Sequence, residues 1–146
     1  MYNYYMAQEI QEQLFVGEVA QKAVITKDGK VLLSRDVGMT NWDSPGGRLH
    51  FGEESKAGLI REVQEEIGVD VEIGEPFYTG VFTPTNPNKS TRPRFLVAYH
   101  ATLKDPSQPF VLAPDEIEEV RWVGKDEIAS MPMWDDYKEM FKHYFA

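Results

Sequence analysis

One segment of the chain, residues 55–67, constrains the structure most, because its acidic and apolar residues separate cleanly only on an α-helix. With Glu62 set at zero and roughly 100° per residue, Glu66 falls at about 40° and Glu65 at about −60°. Three carboxylates therefore share one face. The opposite face, between roughly 100° and 160°, carries an apolar stripe suited to a core: Ile60, Val63 and Ile67. We predict a helix over Ser55–Ile67, ended by Gly68 in a C-cap position.

The remaining pattern predicts an α/β fold, in one domain over residues 1–146, with a mixed sheet and helices on its faces. Strands are predicted over six segments: Val19–Thr26, Val31–Ser34, Val69–Ile73, Phe77–Phe82, Phe95–Leu103 and Ile117–Val123. Asp28-Gly29 fits a hairpin turn. Three more helices are predicted, at Met6–Leu14 (within a leader of residues 1–16), Lys125–Ser130 and Trp134–Phe145. Segments rich in glycine, proline and asparagine predict loops at Asp36–Gly52, Thr83–Pro93 and Asp105–Asp115.

Composition and charge exclude several classes of protein. The 146 residues carry a net charge of −9, which disfavours binding to nucleic-acid backbones. The absence of cysteine excludes disulfides, thiolate zinc sites and cysteine nucleophiles. No apolar run is long enough to span a bilayer, and the first ten residues lack the basic and apolar regions of a signal peptide. A cytoplasmic location is expected.

The acidic residues predict a divalent-metal site. Clustered carboxylates repel one another unless something neutralises them, and Mg²⁺ takes oxygen ligands and bridges carboxylates to phosphates. Glu53 adds a fourth carboxylate, and Pro45-Gly46-Gly47 allows tight turns whose backbone groups face an anion or a metal. Gly58 falls on the glutamate face and leaves room there for metal and phosphate. The alternative is a solvated acidic face with ordinary surface pairs to Lys56 and Arg61.

The segment Gly47–Val69 resembles the Nudix box, in which glycine, glutamate and arginine stand at fixed spacings. Every fixed position is matched, by Gly47, Glu53, Arg61, Glu62, Val63, Glu65, Glu66, Gly68 and Val69. The similarity extends over residues 18–130, through Leu32-Leu33, Trp42–Gly47 and Glu119–Val123. Two positions depart from the usual pattern, since Gly58 replaces a common alanine and His50 stands where an acidic residue is frequent. The chain is identified by this resemblance as a member of the Nudix hydrolase family.

The resemblance implies a Nudix-type α/β/α sandwich, Mg²⁺ or Mn²⁺ as cofactor, and attack of water at phosphorus in a nucleoside diphosphate linked to another group. Carried over by position, Glu62, Glu65 and Glu66 are metal ligands, and Glu65 or Glu66 orients or deprotonates the water. Glu53 and the carbonyl of Gly46 support the metal site.

Two further roles in the site follow from the same resemblance. Arg61 holds a box glutamate in place and does not touch substrate. In several relatives a glutamate in the late loop completes the site as base or ligand, and Glu116 is the candidate here, with Asp115 and Glu118 behind it.

Contacts to the rest of the substrate are predicted from aromatic and arginine side chains. Rings can stack on a base, and the candidates are Trp42 and Tyr78, with Phe82, Phe95 and Tyr99. Guanidinium groups match phosphate bidentately, and the candidates are Arg35, Arg92 and Arg94. Pro84, fifteen residues beyond Val69, resembles the proline that marks ADP-ribose pyrophosphatases. The markers of the coenzyme A and NADH types are absent.

Several functions stay open at this point. Hydrolysis of ADP-ribose or nucleotide sugars is slightly favoured over hydrolysis of (deoxy)nucleoside triphosphates, including oxidised ones. A non-catalytic nucleotide-binding module would be expected to lose box glutamates, and none is missing. An isoprenoid-diphosphate isomerase needs a cysteine, and the net charge argues against an RNA 5′-end pyrophosphohydrolase. Aromatic residues of the leader and of the last helix predict a homodimer contact.

Overall fold

The computed structural model describes residues 14–82 and 92–146 of the chain. Within them lie seven strands and three helices. The strands are β1 (Glu18–Lys27), β2 (Lys30–Asp36), β3 (Trp42–Asp43), β4 (Gly46–Arg48), β5 (Val71–Phe82), β6 (Arg94–Leu103) and β7 (Ile117–Val123). The helices are α1 (Ser55–Ile67), α2 (Lys125–Ile128) and α3 (Asp135–Tyr144). The leader helix predicted from Met6 lies outside the described residues except for Leu14.

The sheet is mixed, as predicted. Its path runs β3-β2-β1-β6-β5, with β4 paired to β1 and β7 paired to β2. Strand β1 runs parallel to β6 and antiparallel to β2 and β4, and β5 runs antiparallel to β6. The hairpin between β1 and β2 turns at Asp28 and Gly29, both of which have positive φ.

Helices cover both faces of the sheet, which confirms the sandwich. Helix α1 buries Leu59, Val63 and Ile67 in a cluster with residues of β1, β2, β5, β6 and β7. Helix α3 buries its own apolar residues in a second cluster, with alternate residues of β1 and β6: Tyr137, Met140 and Phe141 against Ala20, Val24, Leu96 and Ala98. The period-2 alternation of β1 therefore divides its side chains between two cores.

Both ends of α1 are secured by groups outside the helix. The Glu54 carboxylate accepts hydrogen bonds from the backbone N–H groups of Lys56 and Ala57, and so caps the first turn. At the other end Gly68 adopts the left-handed conformation, as predicted. The backbone N–H of Val111 and that of Ala113 donate to the carbonyls of Ile67 and Glu66, each at 2.9 Å.

The structure differs from the prediction in the connection before α1 and in β5. The segment predicted to be mostly loop, residues 36–52, contains β3 and β4, because their backbones pair with β2 and β1. The two strands predicted over residues 69–82 form one continuous β5, whose pairing with β6 shifts register around Pro76. Sequence propensity does not specify these pairings, which depend on the partner strand.

The aromatic surface of the last helix is smaller than predicted. Tyr137 and Phe141 lie in the core between α3 and the sheet, and only Trp134 exposes a large part of its ring. The homodimer therefore stays a prediction, which the mass of the full chain from light scattering tests. Among the helices of the described residues, none is long and apolar enough to cross a membrane.

The C-cap of α1 is the first testable feature. A non-glycine residue in the left-handed region costs about 1–2 kcal/mol. We expect Gly29→Ala to lower the free energy of unfolding by about 1 kcal/mol, since an added Cβ there meets nothing within 4 Å. Gly68→Ala should cost more, because its Cβ would lie 2.7 Å from that of Val111. Urea denaturation of both variants measures the difference, and equal losses would contradict this close packing.

Candidate active site

The acidic face of α1 lies over β4, and glycines make that approach possible. A Cβ on Gly47 would stand 2.5 Å from the carboxylate carbon of Glu62. A Cβ on Gly46 would collide with the backbone carbonyl of Gln21 on β1, and the φ of Gly46 is +152°. Side chains at these two positions would therefore push the helix or the strand away. This close contact places Glu62 and Glu66 of α1 against the backbone of β4.

One guanidinium gathers three of the carboxylates. Arg61 donates to Glu53 from Nε to Oε2 at 3.2 Å and from Nη2 to Oε1 at 3.0 Å. Its Nη1 donates to both oxygens of Glu65, at 3.2 and 3.1 Å. Its Nη2 also lies 3.2 Å from Oε1 of Glu62. The sequence prediction assigned Arg61 to one glutamate, and in the structure it contacts three.

The charge of Glu53 is stabilised from two sides. The hydrogen bonds from Arg61 hold the pKa of Glu53 below its usual range, and the backbone N–H of His50, at 2.7 Å, acts in the same direction. The same ion pairs raise the pKa of Arg61, with the hydrogen bond to Glu53 as the largest contribution. The ion pair therefore favours the charged forms of both Arg61 and Glu53.

Glu66 is held separately from the other three glutamates. Its Oε1 accepts a hydrogen bond of 2.9 Å from the backbone N–H of Gly46. Burial raises the pKa of Glu66 to about 8, and the positive charge of Lys22 and the Gly46 N–H oppose that rise only in part. A carboxylate in such surroundings can either bind a cation or take up a proton near neutral pH.

A buried ion pair lies beneath Glu66. Nζ of Lys22, on β1, is 2.6 Å from Oδ2 of Asp43, on β3, and the Lys22 side chain is 11% exposed. The same Nζ lies 5.3 Å from the ring centroid of Tyr137. Burial lowers the pKa of Lys22, but the negative charge of Asp43, with smaller contributions from Tyr137 and Glu66, outweighs burial and raises it. The ion pair with Asp43 therefore favours the charged form of the Lys22 ammonium group.

Sequence reasoning missed this pair. A lysine in a strand is usually read as a solvent-facing residue. The alternation of side chains along β1 could have revealed that Lys22 is buried, because it places Lys22 on the same face as the core residues Ala20 and Val24. A charge at that position requires a buried partner, and Asp43 is the residue that supplies it.

The donor set fits a hard divalent cation. All four glutamates offer carboxylate oxygen, the ligand type that Mg²⁺ and Mn²⁺ prefer. In this arrangement they face Arg61 and Gly46, and within residues 14–82 and 92–146 no three acidic or histidine side chains converge as a metal cage. Binding of a cation by Glu62 or Glu65 therefore requires these side chains to exchange contacts with Arg61.

The connection between β6 and β7, which contains Glu116, contacts α1 and the end of β2 through backbone hydrogen bonds. The Glu116 carbonyl accepts from the N–H of Val37, and the N–H of Ala113 donates to the carbonyl of Glu66. The Glu116 side chain is exposed. The carboxylate of Glu118 is 2.7 Å from Nη1 of Arg35, in an ion pair on the surface. The role of Glu116 as base or ligand stays a prediction.

The substrate-binding candidates are scattered, and several have partners within the chain. Arg35 pairs with Glu118 and Glu119. Trp42 is 6% exposed, and its ring centroid lies 5.5 and 4.9 Å from the guanidinium carbons of Arg35 and Arg121. This packing accounts for Trp42 without a substrate.

Three further candidates, Tyr78, Arg94 and Arg92, lie on β5 and around the start of β6. Tyr78 packs its ring against His143, with ring centroids 5.0 Å apart. Nε of Arg94 is buried and has no hydrogen-bond partner among the described residues, with the Glu18 carboxylate 3.8 Å away. Arg92 is exposed and follows directly on residues 83–91, which lie outside the described part of the chain together with Pro84.

Comparison with known proteins establishes the family. The model of the NUDIX domain matches residues 18–144, and the chain therefore belongs to this family. The match covers the strands, the box and α3, so it extends beyond the range inferred from the sequence motifs. The family predicted from Gly47–Val69 is confirmed.

The relatives include a named pyrophosphohydrolase. A MutT-like protein of Streptomyces ambofaciens is 34% identical over 106 residues, which are 73% of this chain and 62% of that protein. The CTP pyrophosphohydrolase of Escherichia coli K12 is 33% identical over 57 residues, 36% of this chain and 42% of that protein. The chain thus spans less than two thirds of the length of both relatives. The E. coli ORF135 protein shares the fold, with a TM-score of 0.73 at 21% identity over 90% of each chain.

The buried ion pair gives a second prediction. Lys22→Met leaves the Asp43 carboxylate without its charged partner, so we expect the free energy of unfolding to fall by about 3 kcal/mol, at the low end for a buried pair because the Asp43 side chain is 26% exposed. Lys142→Ala is the control, because Lys142 and Glu139 form an ion pair on the surface, with side chains 76% and 51% exposed. Removing that pair should change stability by less than about 1 kcal/mol. Urea denaturation compares the two, and similar losses would show that Lys22 is not held in the core.

Proposed function

We propose that this chain hydrolyses a phosphoanhydride bond in a nucleoside diphosphate linked to a further group, with Mg²⁺ as the cofactor and Mn²⁺ as a substitute. The observation that carries the proposal is the gathering of Glu53, Glu62 and Glu65 around Arg61, with Glu66 beside them on the Gly46 N–H. A complete set of box carboxylates, two of which lie against the glycines of β4, supports a site that takes metal and phosphate.

The box residues have different proposed roles, which follow from their positions in the site. Glu62, Glu65 and Glu66 would hold the cation, with Glu53 and the carbonyl of Gly46 in support. A cation held there would supply a Lewis acid that lowers the pKa of water and offsets charge on the phosphate. Arg61 neutralises those glutamates that do not bind the cation. The carboxylates of α1 can therefore remain close to one another when some of them exchange Arg61 for the cation.

Glu66 is the better of the two candidates for the proton acceptor. The Glu65 carboxylate is 56% exposed and bound at both oxygens by Arg61. Glu66 is more enclosed, and in the metal-free chain burial raises its pKa to about 8, so this carboxylate takes up a proton more readily than an ordinary one. Lys22 beneath it limits that rise and favours release of the proton afterwards.

The substrate class is proposed from the relatives. The protein named CTP pyrophosphohydrolase favours a (deoxy)nucleoside triphosphate as the substrate here. The earlier preference for ADP-ribose depended on Pro84, which lies outside the described residues. A solved ADP-ribose pyrophosphatase from Streptococcus suis shares 21% identity, which supports a common fold and no particular substrate.

The test is a Mg²⁺-dependent product assay on the full chain over a panel of nucleotides. The panel contains normal and oxidised triphosphates, ADP-ribose, nucleotide sugars and dinucleoside polyphosphates. We expect turnover of a triphosphate that requires the metal. Glu66→Gln and Glu65→Gln should each lower kcat by about 100-fold or more, since each removes a ligand or the proton acceptor.

The matched control is Glu72→Gln, which changes an exposed glutamate of β5 outside the site. Its kcat should equal that of the native chain. Turnover that survives both Glu65→Gln and Glu66→Gln would overturn the assignment. Tight binding of one nucleotide with no hydrolysis would favour the non-catalytic module instead.

A further inference from the structure

We propose that the groove between α2 and α3 binds a small amphipathic anion, a molecule with an apolar body and a carboxylate or phosphate at one end. The groove has a volume of about 460 Å³. Proteins bind small molecules in cavities of about 300–1,000 Å³, so this volume suits such a ligand. None of the residues that line the groove belongs to the proposed active site. The groove is therefore a second place on the chain for a ligand.

The interior of the groove is apolar. Ile128, the last residue of α2, is 6% exposed, and Phe141 of α3 is 1% exposed. Phe145, just beyond α3, is half-buried, and its ring centroid lies 6.5 Å from that of Phe141. The exposed part of the Phe145 ring offers apolar surface that a ring or an aliphatic chain can cover, and removing such surface from water favours binding.

Three ammonium groups surround this apolar interior, those of Lys125, Lys138 and Lys142. The remaining lining residues are alanines, so no Asp or Glu side chain faces the groove. Lys142 pairs with Glu139 at 3.4 Å on the surface. The side chains of Lys125 and Lys138 have no hydrogen bond or ion pair with any residue that the structure describes. On a chain with a net charge of −9, this groove thus differs from its surroundings in having only cationic charges.

The position of Lys138 is unfavourable for the helix itself. Lys142 stands in the last turn of α3, where the helix dipole favours a cation. Lys138 stands near the start of α3, where the dipole favours an anion. The two lysines are four residues apart and share a helix face, so they also repel each other. An anion bound in the groove would offset both unfavourable interactions.

The apolar interior and the cationic rim together specify the class of ligand. An inorganic anion would leave the apolar surface of Phe145 uncovered, and an uncharged apolar molecule would leave Lys125 and Lys138 without a partner. A molecule with an apolar body and one anionic end satisfies both requirements. Aliphatic or aromatic carboxylates and phosphate monoesters have this form.

The test uses anilinonaphthalene sulfonate (ANS), a fluorescent aromatic anion, with the full chain and without substrate or metal. We expect saturable binding at one site per chain. Decanoate and naphthyl phosphate should displace the probe, and the stronger competitor distinguishes a carboxylate ligand from a phosphate ligand. Phenylnaphthylamine has the same rings and no charge, and it should bind at least about tenfold more weakly, the loss expected for a hydrogen bond to a charged group.

Two double variants locate the site. Lys125→Glu with Lys138→Glu removes the two unpaired cations and should raise the Kd for ANS by at least about tenfold. Lys30→Glu with Lys104→Glu is the matched control, because it makes the same change in net charge at two exposed lysines outside the groove. Its Kd should stay close to that of the native chain, since salt screens distant charges.

NMR of the native chain locates the site without any variant. Addition of ANS should shift the signals of the Ile128 methyl groups and the Ala129 amide, both of which belong to lining residues. Shifts confined to the loop of the fully exposed Phe51 would instead show binding to an unrelated apolar side chain and would overturn the proposal.

The other contradicting results are equally distinct. The proposal fails if ANS does not bind saturably, if ANS and phenylnaphthylamine bind equally well, or if both double variants have the same effect. A dimer by light scattering that does not bind ANS, and whose Ile128 signals depend on protein concentration, would assign the groove to a second copy of the chain. Because no measurement uses a substrate, failure of the nucleotide assay would leave these results unaffected.

Discussion

Repulsion among carboxylates is the constraint on which the rest of this molecule depends. Four glutamates lie on or beside one face of α1, and two separate sets of partners hold them in place. Arg61 contacts Glu53, Glu62 and Glu65, while Glu66 is bound by a backbone N–H and lies in the field of Lys22. Without these partners the helix face would be destabilised by its own charge.

The sheet contributes to the site through two glycines, which have no side chains, and through a charged pair in the core. Gly46 and Gly47 allow α1 and β1 to approach from two sides, so the helix carboxylates meet backbone instead of side chains. Beneath this contact the Lys22–Asp43 pair joins β1 to β3 and sets a positive charge in the core below Glu66. The Lys22–Asp43 pair therefore lies close enough to the acidic face for the charge of Lys22 to act on Glu66.

Much of this arrangement follows from local sequence. The period of α1, its end at Gly68 and the residues of the acidic face were all predictable, because spacing along a helix determines which side chains share a face. The family was predictable from the box alone. These features depend on residues near one another in the chain.

What could not be predicted depends on contacts between distant segments. The short strands β3 and β4 exist because β2 and β1 provide partners, and nothing in residues 36–52 alone specifies them. The partner of Lys22 lies 21 residues away. Arg61 was predicted to hold one box glutamate, and its joint contact with Glu53, Glu62 and Glu65 depends on how the loop before α1 folds onto the helix.

The two backbone N–H groups that cap the C-terminal end of α1 also limit how the length of the connection between β6 and β7 can vary. A helix dipole is negative at its C-terminal end, yet the last turn of α1 carries Glu65 and Glu66 and no basic residue. The N–H groups of Val111 and Ala113 supply the compensating partial positive charge. In evolution, insertions and deletions in this connection should accumulate before Val111, since any change in length between Val111 and Ala113 would uncover the end of the helix that carries the proposed metal ligands.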